Sequence, residues 1–73
     1  MAAKLEYRRT VGKTIRRYRN RAGLSIERLA EKADLHHNYV GEIERGEKAA
    51  SLDTLVKLAK GLGVRPYKLL LGL

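Results

Sequence analysis

The sequence predicts an all-α domain of five short helices. Three observations carry that prediction. Apolar residues recur at three- and four-residue spacing in successive segments, serine or glycine punctuates most segment ends, and no alternating run of β-branched residues offers a strand. A chain of 73 residues makes one domain, expected over 1–73, because so short a chain buries only about 60% of the surface it exposes when unfolded. No internal repeat, low-complexity tract or linker divides it.

Tyr7, Val11, Ile15, Tyr18 and Ala22 fall on one face of a first helix, with most arginines on the other side. This helix is expected over about 5–21. Its start lies between Leu5 and Thr10, since Thr10 is a candidate N-cap and Gly12 weakens the interior by up to about 1 kcal/mol. Gly23 ends it, and Ser25 caps a second helix to residue 33 with Ile26, Leu29, Ala30 and Ala33 as its apolar stripe. Asp34 suits the left-handed conformation of a tight turn. Leu35, Val40 and Ile43 then mark a third helix over about 36–44, stopped by Gly46, which leaves His37, Asn38, Gly41, Glu42 and Arg45 facing outward. Ser51 caps a fourth helix to residue 62, whose Leu52, Leu55, Val56, Leu58, Ala59 and Leu62 span a wide apolar arc before Gly63. Pro66 opens a last helix over 66–71.

The charge points to a polyanionic partner. Sixteen lysines and arginines against eight acids give a net +8, and the excess is concentrated. Lys4, Arg8, Arg9, Lys13, Arg16, Arg17, Arg19 and Arg21 face only Glu6 in residues 4–21, whereas 22–73 is nearly balanced. There is no cysteine, so neither a disulfide framework nor a thiolate metal site is available, and a reducing cytoplasmic setting is expected. No apolar run reaches the ~20 residues of a membrane span, so no membrane partner is expected. Adjacent His36 and His37 point about 100° apart on a helix and lack further ligands, so no metal site is expected. No nucleophile–base set or glycine-rich phosphate loop suggests an enzyme or a cofactor, and no small-molecule pocket is marked.

Residues 26–45 place small or apolar side chains where two helices crossing at a tight turn need them: Ala30 lets the second helix approach, Leu29 and Ala33 line the contact, and Val40 and Ile43 pack back. The run Leu24-Ser25-Ile26-Glu27-Arg28-Leu29-Ala30-Glu31-Lys32-Ala33, followed by Val40-Gly41-Glu42-Ile43-Glu44-Arg45-Gly46, resembles the phage-repressor/Cro (XRE-type) helix-turn-helix DNA-binding domains. The likeness continues through Ile15-Arg16, Arg19 and Gly23 upstream and Ser51-Leu52-Asp53-Thr54-Leu55, Leu58-Ala59 and Leu62-Gly63-Val64 downstream. It implies a lambda-repressor-like fold. Leu35-His36-His37-Asn38-Tyr39-Val40 and the chain length look most like the small controller proteins of restriction–modification systems, with prophage repressors and antitoxins of the same fold left open.

A recognition helix enters the major groove with its N-terminal half toward base edges, which makes His37, Asn38, Gly41 and Glu42 the base-reading set. Asn38 can pair with an adenine edge in bidentate fashion, His37 can donate to guanine, Glu42 can accept from cytosine, and Gly41 allows close approach. Phosphate contacts flank that face, and His36, Tyr39, Arg45 and Lys48 are assigned to them, with the free amides near Ser25 and with Arg28 at the start of the second helix. The resemblance further implies a structural ion pair between Arg19 and Glu44. Three departures stand out: Ile26 where the family usually has glutamine, Asp34 where glycine is usual, and His36 in place of a Ser or Thr cap, which should leave the third helix weakly capped.

Tyr67, Leu69, Leu70, Leu71 and Leu73 exceed what one short helix buries in its own domain. A homodimer is therefore expected, with Tyr67, Leu69, Leu70 and Leu73 at its interface and two recognition helices meeting half-sites about 34 Å apart on duplex DNA. The reading is a sequence-specific transcription regulator. The alternative is a protein-interaction module of the same fold, as an antitoxin or bridging factor would be.

Overall fold

The computed structural model describes residues 3–73, with side chains from Glu6 onward. Four α-helices and one 3₁₀ helix make up the described residues, with no strand among them: α1 (Ala3–Arg21), α2 (Ile26–Ala33), α3 (His37–Glu44), α4 (Leu52–Leu62) and the 3₁₀ helix Pro66–Leu70. The all-α class is as expected, but the last element is not an α-helix. Five residues opened by proline and followed by Gly72 form too short a segment to sustain an α-helical ladder, and 3₁₀ geometry serves such short connections. None of the helices is long and apolar enough to cross a membrane.

α1 begins earlier than the sequence suggests, so Thr10 is an interior residue and not a cap; its carbonyl accepts the Thr14 hydroxyl at 3.0 Å. Tyr7 and Ala22 are exposed: Ala22 lies past the last turn of the helix, whereas Tyr7 stays on the side of Val11 near the helix start, where the core gives out. Val11 and Ile15 keep their places in the core. Gly12 takes on a different meaning. A Cβ there would overlap the carbonyl oxygens of Ile43 and Glu44, so α1 crosses the end of α3 backbone to backbone.

Ser25 accepts the Arg28 N–H at 3.0 Å as the N-cap of α2. Asp34 ends that helix with φ 57° and ψ 49°, and the Leu35 N–H returns to the Ala30 carbonyl at 2.9 Å. This left-handed turn sets α3 against α2. Leu29, Ala30, Ala33, Val40, Ile43, Leu58, Ala59 and Leu69 join Val11 and Ile15 in one core. Ser51 caps α4 by accepting the Thr54 N–H at 3.1 Å. Two of the six residues of the expected α4 arc do not pack inward: Leu52 is 74% exposed and Val56 is exposed too, since α4 seats only Leu58 and Ala59 of that arc fully in the core, with Leu55 and Leu62 at its edge.

Candidate nucleic-acid interface

The first residues of α3, His37 and Asn38, and the preceding His36 are exposed. Here the structure corrects the expectation of a weak cap: the His36 Nδ1 accepts the Asn38 N–H at 3.1 Å, so the imidazole takes the part that Ser or Thr plays elsewhere. The His36 and His37 rings stack at the helix entry with centroids 4.5 Å apart. His37 and Asn38 are exposed and Glu42 is half-buried. Tyr39 is half-buried, its hydroxyl 3.4 Å from the Thr54 Oγ1.

Gly41 faces outward but is not bare. The Arg45 guanidinium lies over it, so close that a Cβ at Gly41 would stand 3.0 Å from Nη1. The residue is thereby buried by its neighbour one turn on. Ile26, Glu27, His37, Asn38, Gly41, Glu42 and Arg45 together line a polar hollow of about 330 Å³ between the start of α2 and the face of α3. All four base-reading candidates therefore share one surface.

The cations around this surface each hold a carboxylate. Arg45 donates from Nε to the Glu47 Oε2 at 2.7 Å and from Nη2 to Oε1 at 3.2 Å. These hydrogen bonds hold the Arg45 guanidinium above and the Glu47 carboxyl below their ordinary values. Lys48 Nζ lies 3.5 Å from the Glu42 Oε1, and Arg28 pairs with Glu31 one turn along α2. Sequence reasoning found the cations and missed their partners. Glu31 stands three residues from Arg28 on one helix face and was available to that rule, whereas Glu47 and the Glu42–Lys48 pair depend on how the chain leaves α3.

Beneath the face, Glu44 is fully buried and carries the ion pair the resemblance implied. Arg19 reaches it with Nε at 2.7 Å and Nη2 at 3.0 Å, and donates Nη1 to the Leu24 carbonyl at 2.9 Å. The hydrogen bond to Glu44 holds the Arg19 guanidinium above its ordinary value, against the opposing effect of burial. Arg16, not expected in this pair, adds its Nε at 3.3 Å. The end of α3 is thus tied to α1 by charge as well as by the contact at Gly12.

At the C-terminus, Tyr67, Leu70, Leu71 and Leu73 are exposed, but Leu69 is 0% exposed and belongs to the core. Leu69 therefore leaves the expected contact set: the 3₁₀ turn points it inward between the helices. An apolar hollow of about 160 Å³, unmarked in the sequence, opens beside this segment, lined in part by Tyr7, Val11, Ile43, Leu55, Leu70 and Leu73.

Residues 15–69 match the model of a helix-turn-helix family. The chain is 43% identical over 60 residues to control protein C.BamHI of Bacillus amyloliquefaciens, covering 81% of this chain and 74% of that one. It is 41% identical over 66 residues to control protein C.SmaI of Serratia marcescens, covering 90% and 79%. Among solved structures, the restriction–modification controller protein C.AhdI from Aeromonas hydrophila superposes with a TM-score of 0.83 at 39% identity, covering 92% of this chain and 97% of that one. Motif, turn, outward polar face and these relatives converge: the chain belongs to the XRE-type helix-turn-helix family of DNA-binding transcription regulators.

Proposed function

We propose that the protein is a sequence-specific regulator of the restriction–modification controller kind, acting in the cytoplasm as a homodimer on a two-fold symmetric duplex operator. α3 enters the major groove. His37, Asn38, Gly41 and Glu42 meet base edges. The observation that carries this reading is the shared hollow: four short or polar groups of α3 and the free amide end of α2 lie on one surface, positioned by a capped and latched helix. Ser25, Arg28, His36, Tyr39, Arg45 and Lys48 flank it and hold phosphates, with Arg28, Arg45 and Lys48 exchanging their carboxylate partners for the DNA backbone. An exposed ion pair is worth only about 0–1 kcal/mol, so the exchange at Arg28 is easily made.

Tyr67, Leu70 and Leu73, with Leu71 beside them, supply the dimer contact, since they place exposed apolar surface on one short segment. Selection of binding sites from a random duplex pool at about 150–200 mM salt tests the whole reading, because purely electrostatic binding is suppressed there. A two-fold symmetric motif is the expected result. Binding confined to low salt, with no motif enriched, overturns it and turns attention to a protein partner for the same fold.

A further inference from the structure

The concentrated charge of α1 finds no use in the recognition face just described. Arg9, Lys13 and Arg16 follow one another at four- and three-residue spacing and so share a face of α1. They line a second hollow of about 270 Å³, completed by Glu44 and Arg45. Glu44, the carboxylate of this hollow, is already engaged by Arg19 and Arg16. Arg9 and Lys13 pair with no carboxylate among the described residues, in contrast to Arg28, Arg45 and Lys48. Like charges one turn apart oppose each other along a helix, and Glu44 offsets only Arg16, so Arg9 and Lys13 favour a further anion against them.

The hollow is also held in register with α3. Gly46, at φ 76°, lets the α1 backbone pass beside the end of α3: a Cβ there would stand 2.9 Å from the Arg9 Cγ and 3.2 Å from its Cα. Arg45 lines both hollows and joins them into one surface. Positive charge without internal partners thus adjoins the base-reading face along one side.

We propose that the hollow formed by Arg9, Lys13, Arg16 and Arg45 is a phosphodiester site, in which α1 holds the duplex backbone flanking the groove that α3 reads. This rests on the DNA-binding reading above. It adds α1 to the phosphate clamp and gives the basic N-terminal third a contact role beyond a long-range field.

The test compares the salt dependence of duplex binding for the parent chain, Arg9→Gln with Lys13→Gln, and a control of equal charge loss, Lys57→Gln with Lys60→Gln on α4. A mixed-sequence duplex is titrated between about 50 and 200 mM salt, where each phosphate contact adds about 0.9 to the slope of log K against log salt. The first double variant should have a slope shallower by about 1.8 per bound protomer, and the α4 control one that is shallower by less than about 0.5. Equal slopes in the parent and the first variant, or equal changes in both variants, overturn the proposal. Failure of the parent chain to bind any duplex overturns the DNA-binding reading itself and is seen before any variant is made. Because Arg9 packs beside Gly46, Lys13→Gln alone is measured as well; its side chain is exposed, and it should show half the change at an unaltered melting temperature.

Discussion

Replacing Gly12 with alanine sets two physical effects against each other. Helix propensity alone predicts a gain of up to about 1 kcal/mol, since glycine is the poorest interior residue after proline. The structure predicts the reverse. The new methyl group would overlap the carbonyl oxygens of Ile43 and Glu44 and come within 2.9 Å of the Glu44 carbonyl carbon. These are backbone atoms and cannot rotate away. Overpacking that forces backbone movement costs about 1–3 kcal/mol or more, and moving the end of α3 also pulls Glu44 from the Arg19 guanidinium it meets at 2.7 Å. A net loss of about 2 kcal/mol follows, which for a domain of this size lowers the melting temperature by roughly 8–16 °C. Thermal unfolding followed by circular dichroism at 222 nm reads this directly. A Gly12→Ala variant that melts at or above the parent would refute the close crossing of α1 on α3.

Arg19→Ala leaves buried Glu44 with only the 3.3 Å contact from Arg16 and frees the Leu24 carbonyl, so stability should fall by about 3–5 kcal/mol in urea unfolding; a loss below about 1 kcal/mol would contradict the latch. Leu70→Glu with Leu73→Glu should convert a dimer to a monomer by light scattering, and unchanged mass would defeat the proposed interface. His37→Ala with Asn38→Ala should erase sequence preference while non-specific binding survives, whereas Lys48→Ala should weaken all duplexes about equally; equal effects of both across sequences would sink the assignment of roles.

Much of this architecture is legible because it is local. Ser25 and Ser51 bond to amides three residues on, and Asp34 closes its turn within its own segment, so residue type and spacing suffice to place them. Other features depend on tertiary distance. Arg16 reaches Glu44 across 28 positions of sequence, and nothing in its neighbourhood marks it as different from Arg17. Gly12 reads as a flaw in a helix until the carbonyls of α3 appear against it. Leu69 and Leu70 are indistinguishable by type, and only the 3₁₀ turn decides that one is buried and the other exposed. Leu52 and Val56 illustrate the same limit: helical spacing predicts an apolar face but not how much core lies beneath it.

The recognition helix has only eight residues, too few to be stable in isolation, so its orientation must come from the body of the domain. Four groups supply it: the His36 cap at its entry, the Asp34 turn before it, the backbone contact at Gly12 and the Glu44 latch at its end. The outward side chains of Asn38 and Glu42 contribute to none of the four, and His37 touches them only through its stack on the His36 ring. Side chains that orient the helix and side chains proposed to read the DNA are therefore nearly disjoint sets, and changes in them should separate in experiment. Loss of an orienting group lowers the melting temperature and weakens every duplex in proportion, while loss of a facing group alters which duplex is preferred at constant stability. The separation has a consequence for sequence change: a domain of this size has only a narrow stability margin, so under the proposed reading new operator preferences are reached through residues 38 and 42 without spending that margin, but not through residues 12, 19 or 44.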